Sequence, residues 1–275
     1  MTLTADQFEF LRHLLDQQIG MSLEADQQLF VTHRLLPVAR RHGWNDLDSL
    51  LAQLRDPRDN RLVQEVSEAL VTHETSFFRD AHYYDELSDH VLPRLIARRT
   101  PERRLTIWCA ACSTGQEAYS VAMLLRERFA EQLRGWNIEL LATDLSSRAL
   151  EQARAGQYSD VEVRRGISDC RLTQHFHREP NGWRIDDHVK QMVRFQQANL
   201  IGGWPQLPLQ DLVLLRNVLI YMSPSTRQSI ITRIQKLLHP EGCLMLGSTE
   251  TSNLPDRNKV CIQGNSPISH RSTAH

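Results

Sequence analysis

Two short polar stretches of this chain carry residues that suit a nucleotide-like ligand. Residues 110–115 are small, contain one glycine, and stand between an apolar run and a segment of helical periodicity. Such a loop lets the backbone approach a ligand at a helix N-terminus. Asp144 ends a second apolar run about 30 residues later, where a carboxylate can accept both ribose hydroxyls. Together they predict a site for a ligand that contains ribose.

The composition of this loop favours S-adenosylmethionine over a dinucleotide. Gly115 is its single glycine, so the GxGxxG pattern that admits a pyrophosphate is absent. S-adenosylmethionine has a ribose and no phosphate. Two simpler interpretations stay open: the loop is an ordinary strand-to-helix turn, or Asp144 or Ser146 serves as the N-cap of the next helix.

The strands and helices predicted around these residues indicate an α/β fold. Residues 105–108, 138–144, 211–217 and 243–246 are predicted buried strands. Helices are predicted around residues 118–125, over 82–99, and after the Ser223-Pro224 start signal, with Gly242 as the last helix's end. Arg216 and Asn217 lie at a strand tip, where ligands bind in parallel sheets.

Residues 1–72 are predicted to form a separate all-helical domain. Phe8, Leu11 and Leu15 share one face of a helix that Gly20 ends, and further helices are predicted over 29–42, 46–54 and 61–70. The helix over 29–42 carries a basic face that includes Arg34, Arg40 and Arg41. That face is either simply solvated or a docking surface for an acidic partner.

A small insert is predicted at about residues 170–196, within a domain that spans 73–275. Residues 184–186 and 192–195 alternate like exposed antiparallel strands around Asp186-Asp187. Residues 156–182 are polar and show little periodicity, and the tail from 253 to 275 is mostly polar.

Composition excludes several classes of function. Hydrophobic residues make up 41% and charged residues 24% of the 275, and the net charge of −1 provides no field for nucleic acid or anionic membranes. No signal peptide or membrane span is visible, and the five cysteines are odd in number, so we expect a reduced cytoplasm. Cys109 and Cys112 form a CxxC without a second pair, so no metal site is expected.

Six motifs in order identify a family resemblance over nearly the whole chain. Along the chain they are HETSFFR, WCAACSTGQEAYS, TDLS, FQQANL, LLRNVLIYM and GSTET. The chain resembles the bacterial chemotaxis-receptor glutamate methyltransferases, the CheR family. The resemblance implies a Rossmann-like methyltransferase domain with a small antiparallel β insert, preceded by an all-α N-terminal domain. It also implies methyl transfer from S-adenosylmethionine to glutamates on the cytoplasmic helices of membrane chemoreceptors, leaving S-adenosylhomocysteine.

The resemblance also implies roles for particular residues. Thr75 and Arg79 should lie near the cofactor and the transferred methyl, Glu117 should bind the methionine amino group, and Asp144 the ribose. The remaining cofactor-binding positions are His73, Asn199 and Leu200 (the last two at the adenine), Arg216 and Asn217. Arg79 and Tyr221 are the candidate catalytic residues. Independently of the resemblance, the basic face of the helix over 29–42 makes Arg34, Arg40 and Arg41 the candidate receptor-docking residues. Two positions depart from the family pattern: His73 replaces an asparagine, and Gln116 replaces an acid.

The expected chemistry needs no catalytic base, because a glutamate with a pKa of about 4.3 is already ionised at neutral pH. Alternatives are a methyltransferase for RNA or a small molecule, and a non-catalytic receptor-binding module. A nicotinamide dehydrogenase is disfavoured by the loop. We expect a monomer that binds chemoreceptors, neither binds nucleic acid nor inserts into a membrane, and, given the short turn at residues 179–182, does not depend on a receptor tether peptide.

Overall fold

The computed structural model describes residues 3–56, 60–251 and 261–263. The α-helices are α1 Ala5–Ile19, α2 Gln28–Arg41, α3 Leu47–Leu54, α4 Asn60–Leu70, α5 Ala81–Glu86, α6 Leu92–Arg99, α7 Gln116–Arg128, α8 Ser147–Ala155, α9 Asp160–Arg164, α10 Asp169–His175, α11 Asp187–Lys190, α12 Pro224–Leu237 and α13 Ser248–Thr251. The strands are β1 Arg104–Ala110, β2 Asn137–Asp144, β3 Gln157–Tyr158, β4 Phe176–Glu179, β5 Gly182–Ile185, β6 Val193–Gln197, β7 Gln210–Leu215, β8 Leu238–Leu246 and β9 Cys261–Gln263. A π-helical segment, Leu87–Val91, joins α5 to α6, and a 3-10 turn covers Leu219–Tyr221.

A six-stranded sheet in the order β6-β2-β1-β7-β8-β9 forms the centre of the larger domain. Its first five strands are parallel, and β9 is antiparallel to β8. The central strands β1 and β7 are almost entirely buried, which explains their continuous apolar sequences. Ala110 pairs with Thr143 on one side and Leu215 on the other, so β1, β2 and β7 end at one edge. The Rossmann-like fold predicted from the sequence is confirmed.

The N-terminal helices α1 to α4 form a bundle with its own hydrophobic core. Every buried member of this core lies between residues 3 and 70, and Leu145, directly after β2, packs against it. Two other clusters cover the two faces of the sheet. Gly20 ends α1 in a left-handed conformation (φ 70°), as its position after the apolar stripe predicts. The boundary at residue 72 stays a prediction that this separation of cores supports.

The prediction for the insert was wrong at both ends. The small antiparallel sheet has the order β3-β5-β4 and therefore spans residues 157–185. β6, taken from its alternation to be part of the insert, is instead a parallel edge strand of the main sheet, paired with β2. Val193 and Phe195 pack against the core on one face of the sheet, whereas Arg194 and Gln196 are exposed on the other, so β6 alternates as an exposed antiparallel strand does.

Gly242 was also misassigned as a helix end. α12 ends at Leu237, and Gly242 lies within β8, where an added Cβ would stand 2.7 Å from the Gln210 carbonyl oxygen. This glycine is required by close backbone approach between β8 and β7. Most of the tail from 253 to 275 lies outside the described residues. Within the described part of the chain, every helix is too short or too polar to cross a bilayer.

Candidate cofactor-binding site

The loop between β1 and α7 has an unusual backbone. Ala111, Ser113 and Gly115 all adopt positive φ angles of 58°, 51° and 94°. A Cβ on Gly115 would stand 2.9 Å from the Cβ of Ala153, so only glycine fits there. Ser113 holds this loop against β2 and the segment before α5: its N–H donates to Asp144 Oδ2 (2.7 Å), and its hydroxyl donates to the His73 carbonyl (3.1 Å).

Asp144 is held in place at the tip of β2. The Ser146 N–H donates to its Oδ1 at 2.9 Å, and only 5% of the residue is exposed. Burial raises the pKa of Asp144, and the backbone hydrogen bonds from Ser146 and Ser113 oppose that rise. Ser146, not Asp144, is the N-cap of α8, since its hydroxyl accepts from Ala149 N. The carboxylate of Asp144 therefore lies at the ligand edge of the sheet.

A buried charge network joins α7 to the tip of β7. Arg216 Nη1 donates to Glu117 Oε2 at 2.8 Å, and its Nη2 donates to Asp80 Oδ2 at 2.7 Å and to the Arg79 carbonyl at 2.8 Å. The guanidinium stacks on the ring of Tyr83, 3.8 Å from the centroid. These contacts fix the carboxylate of Glu117 at the start of α7.

The pKa values of Glu117 and Arg216 are both raised, for different reasons. Burial raises the pKa of Glu117, and the adjacent guanidinium opposes that rise. For Arg216, burial alone would lower the pKa, but the carboxylate of Glu117 and the neighbouring tyrosines raise it above its usual range. Arg216 therefore remains a cation that keeps a carboxylate in a site where water is largely excluded.

Glu250 is a structural residue of the site that the sequence analysis missed. Its buried carboxylate accepts backbone N–H groups from Gly247 (2.8 Å), Asn217 (2.9 Å), Val218 (2.9 Å) and Leu219 (2.7 Å). It thereby sets the turn after β7, which leads to Tyr221. The GSTET motif was recognised, but no spacing rule indicates an acid that binds main chain about 30 residues away.

Backbone strain is concentrated around this site. Positive φ angles occur at six described non-glycine residues, and five of them are Phe78, Asp80, Ala111, Ser113 and Asn217. Each such residue costs about 1–3 kcal/mol, so the surrounding contacts must enforce it. Clustering of this kind is typical of functional sites.

Two adjoining cavities occupy the edge where β1, β2 and β7 end. The first, the polar cavity, includes His73, Thr75, Arg79, Ser113, Glu117, Arg216 and Asn217 in its lining. The second, the apolar cavity, includes Ile19, Met21, Leu145, Asn199, Leu200 and Met222. Val71, Thr72, Ala111, Asp144, Val218 and Tyr221 line both. The cavities have volumes of about 70 and 80 Å³ and adjoin along these shared residues.

The structure thus brings together every cofactor-binding and catalytic candidate named from the sequence. Gln116 does not line either cavity; it is 1% exposed, and its Oε1 accepts from the Thr114 hydroxyl. His73 does line the polar cavity, and its Nδ1 is buried without a hydrogen-bond partner. The side-chain amide of Asn199 makes two hydrogen bonds: its Nδ2 donates to the Gln18 carbonyl (2.6 Å), and its Oδ1 accepts from the Ile201 N–H (3.1 Å).

The docking candidates lie apart from these cavities, on exposed positions of α2. Arg41 bonds Glu65 of α4 at 2.6 Å, and His42 contacts the same carboxylate at 2.7 Å. Arg34 lies over the ring of Phe30, and Arg40 is exposed. Part of the basic face therefore stabilises the bundle itself.

The CxxC cysteines lie at the end of β1 and in the loop that follows it. Cys109 and Cys112 are both buried free thiols, and burial raises the pKa of each well above its usual range. Among residues 3–56, 60–251 and 261–263, no cluster of three or more His, Cys, Asp or Glu side chains could hold a metal ion.

The chain is similar to known proteins over most of its length. Residues 73–266 match the family described as "CheR methyltransferase, SAM binding domain". "Chemotaxis protein methyltransferase 1" of Pseudomonas aeruginosa is 36% identical over 259 residues, covering 92% of this chain and 93% of that protein. "Chemotaxis protein methyltransferase Cher2" of Pseudomonas putida is 34% identical with the same coverage, and the Escherichia coli protein is 31% identical over 91% of this chain and 86% of its own length.

Proposed function

This chain belongs to the CheR methyltransferase family, which binds S-adenosylmethionine, and from that premise we propose that it methylates glutamate side chains of chemoreceptors. The acceptor carboxylates would lie on the cytoplasmic helices of the membrane receptors, and the esters would serve adaptation of a chemosensory pathway. We further propose that the enzyme acts as a monomer in the cytoplasm. The names of the relatives, chemotaxis protein methyltransferases, support the choice of substrate.

One observation carries the proposal: a polar and an apolar cavity meet at the buried carboxylate of Asp144. S-adenosylmethionine has a matching division into a charged amino acid, a ribose and a flat purine. Glu117 suits the amino group, Asp144 the ribose hydroxyls, and the apolar cavity the adenine. Asn199 and Leu200 line that apolar cavity, as the family resemblance implies.

The acceptor side needs positioning more than proton transfer. When bound, S-adenosylmethionine supplies a methyl group activated by a sulfonium, and its transfer to a carboxylate oxygen moves no proton. A substrate glutamate is ionised at neutral pH, because its unperturbed pKa is about 4.3. This chain's residues therefore have to align the carboxylate and partly desolvate it.

Arg79 and Tyr221 are the residues we propose for that alignment. Arg79 Nη1 donates to the Glu74 carbonyl at 3.0 Å, which orients the guanidinium that lines the polar cavity. It can hold a carboxylate by a charge-assisted hydrogen bond, although too strong a grip would stabilise the ground state. Tyr221, 38% exposed and lining both cavities, stands where an acceptor side chain would enter.

Two measurements test the function. Calorimetric titration with S-adenosylhomocysteine should show binding to the wild type and none to Asp144→Ala. Incubation with a receptor cytoplasmic fragment and methyl-labelled S-adenosylmethionine should give base-labile label on glutamates. A wild type that does not bind would favour a non-catalytic receptor-binding module. Binding with transfer only to RNA or a small molecule would favour the other alternative.

The docking surface on α2 is a separate proposal. Reversing Arg40 and Arg41 to Glu should slow receptor methylation while leaving S-adenosylhomocysteine affinity unchanged, because neither residue lines a cavity. Arg40→Glu alone is the cleaner variant, since Arg41 also bonds Glu65. Arg148→Glu, an exposed charge reversal on α8, is the matched control. Equal methylation by all variants would contradict a docking role for this face.

We also propose that a receptor tether peptide is dispensable. The connection between β4 and β5 is short: two residues separate Glu179 from Gly182, the first residue of β5 and the single glycine of the 179–182 segment. Truncating a receptor's C-terminal peptide should leave its methylation rate unchanged. Tight calorimetric binding of that peptide to the protein would contradict this proposal.

A further inference from the structure

The segment that carries Arg79 is embedded in the insert formed by β3, β4 and β5. Phe77, which is fully buried, makes T-shaped contacts with the rings of Tyr158 in β3 (4.9 Å between centroids) and Phe176 in β4 (5.4 Å). Gly166, in the loop between α9 and α10, packs directly against the Phe77 carbonyl, where an added Cβ would not fit. The insert thus holds the residue two positions before Arg79.

Phe78 is held on two sides. Its N–H donates to the Ser120 hydroxyl of α7 at 2.9 Å, and the guanidinium of Arg171, in α10 of the insert, lies over its ring at 3.7 Å from the centroid. Phe78 has a positive φ angle of 47°, and Asp80, two residues later, has one of 63°. Non-glycine residues keep such angles only where the surrounding contacts enforce them. The stacked arginine is one of those contacts.

Arg171 is itself fixed by a carboxylate of α7. Its Nε and Nη2 donate to the two oxygens of Glu127 at 2.9–3.1 Å, and His175 Nε2 contacts Glu127 Oε1 at 3.0 Å. Burial alone would raise the pKa of Glu127, but the bonds to His175 and Arg171 lower it below its usual range. The carboxylate therefore stays charged, and the two-point bond to it sets the plane of the guanidinium. That plane is the surface that meets Phe78.

The insert also reaches Arg79 through Glu74. Arg165, which follows α9, donates to Glu74 Oε1 at 2.6 Å, and the Glu74 carbonyl accepts from Arg79 Nη1 at 3.0 Å. Both side chains of the Arg165–Glu74 pair are more than half exposed, so this pair should contribute little. The contact made by Arg171 is the stronger one, because its side chain is only 29% exposed.

On the other side of Arg79, Arg216 of the sheet domain binds the Arg79 carbonyl and the carboxylate of Asp80. The main chain of Arg79 is thus held between Arg171 and Arg216, and its side chain lines the polar cavity. We infer that Arg171 is a positioning residue for methyl transfer: by stacking on Phe78 it sets where Arg79 meets the acceptor carboxylate. This inference rests on the proposed function and gives the insert a part in the reaction.

Such a role needs no peptide at the edge of the insert. A displacement of about 1 Å at a positioning group can slow a reaction about a hundredfold. The insert therefore contributes to methyl transfer even in a protein that we propose to work without a receptor tether peptide.

A double-mutant cycle in receptor methylation tests the inference. Arg171→Lys keeps a cation for Glu127 and loses the planar stack on Phe78. It should lower kcat/KM for a receptor cytoplasmic fragment about tenfold, because Arg79 is then less well placed. The same substitution in an Arg79→Lys background should cost less than about twofold, since the group that Arg171 positions is already changed.

Phe78→Leu removes the ring from the other side of the contact. It should lower kcat/KM by a similar factor, and adding Arg171→Lys to it should cause little further loss, because both changes break one contact. Arg178→Lys is the matched control. Arg178 also lies in the insert, stacks on a ring (Trp183, 5.0 Å) and bonds a carboxylate (Asp160), but these partners lie within the insert. This variant should methylate the receptor at the wild-type rate.

Two ligand probes show whether the cofactor cavities stay intact. They are S-adenosylhomocysteine and 5′-methylthioadenosine, which has the adenine and ribose but lacks the amino acid. Neither Arg171 nor Phe78 lines either cavity. Calorimetric titration with both probes should therefore give nearly wild-type affinities for Arg171→Lys and Phe78→Leu. A general loss of stability would not separate methylation from ligand binding in this way.

Wild-type kcat/KM in Arg171→Lys and Phe78→Leu would overturn the inference while leaving the proposed function intact. A loss as large in the Arg79→Lys background as in the wild type would also overturn it. So would weaker binding of 5′-methylthioadenosine in parallel with the lost activity, because the effect would then be on the fold of the whole site. A wild type that transfers no methyl group to a receptor fragment would overturn the proposed function, and this inference with it.

Discussion

The two halves of the cavity are built by different means. In the polar half, Glu117, Arg216 and Asp80 are joined by charge-assisted hydrogen bonds of 2.7–2.8 Å, and all belong to the sheet domain. In the apolar half, Ile19 and Met21 of the bundle face Leu200 and Met222 of the sheet domain. A directional network inside one fold is hard to shift, whereas a wall shared between domains depends on how they dock.

The largest expected effect comes from breaking the polar network. Arg216→Met should lower the free energy of unfolding by about 3–5 kcal/mol, because it leaves the buried carboxylate of Glu117 without its cation. It should also weaken S-adenosylhomocysteine more than 5′-methylthioadenosine. Urea denaturation and calorimetry measure the two effects.

Arg104→Met is the control for that variant. Arg104 bonds Glu139 at 2.8 Å, but both side chains are more than 40% exposed, so its loss should cost at most about 1 kcal/mol. If Arg216→Met cost no more than this control, the polar half would not be held by its charge network.

A smaller loss of stability is expected from a substitution that weakens the turn after β7, which lines both cavities. Glu250→Gln should lower the free energy of unfolding by about 1–3 kcal/mol, because an amide cannot accept all the N–H groups that the carboxylate binds. Since Val218 and Tyr221 line both cavities, both probes should weaken together. Glu241→Gln, at an exposed ion pair with Arg98, is the control and should change neither quantity. Selective loss of one probe would show that the turn serves one half alone.

The smallest effect is expected from lowering the pH, which should reduce ligand affinity. Because Glu117 lines only the polar cavity and Asp144 lines both, the effect depends on which part of the ligand each carboxyl group binds. Burial raises the pKa of both Asp144 and Glu117, so each takes up a proton at a higher pH than an ordinary carboxyl does. A protonated carboxyl loses its charge and an acceptor. Affinity for S-adenosylhomocysteine should therefore fall on acidification from pH 7 to 5, by less than about tenfold.

A second ligand, 5′-methylthioadenosine, which has the adenine and ribose of the cofactor but lacks its amino acid, makes the pH measurement more specific. 5′-Methylthioadenosine depends on Asp144 but not on Glu117, so its affinity should fall less steeply over the same range. Calorimetry at several pH values with both probes measures the difference. Identical slopes would contradict the assignment of Glu117 to the amino acid end.

The strand-tip residues of the polar half could be predicted from local patterns, whereas Thr75, Arg79 and Glu117 were indicated only by the family resemblance. Apolar runs followed by Asp144 and Arg216 indicated parallel strands, and the carboxyl ends of such strands meet at one edge. The bundle's helices and the Ser223-Pro224 helix start were indicated by periodicity and capping signals. The insert was misplaced because β6 alternates as an edge strand, and alternation alone does not distinguish parallel from antiparallel pairing.

Local sequence patterns could not predict the residues that hold the site by binding distant segments of the chain. Glu250 sets the turn after β7 through backbone N–H groups, and Asp80 holds Arg216 from a left-handed position before α5. Neither interaction has a characteristic spacing in sequence. Both arise only when distant segments are packed together.

The sequence by itself determined the α/β fold and the strand-tip residues Asp144, Arg216 and Asn217, because periodicity and strand ends are local properties. Arg79 and Glu117 were indicated by the family resemblance and not by such patterns. Only the tertiary structure decided that Ile19 and Met21 close the apolar cavity. In the sequence they resemble any apolar residues at a helix end. Their role depends on contacts with residues about 200 positions away, such as Met222, and apolar packing carries no directional signal that a sequence pattern could show.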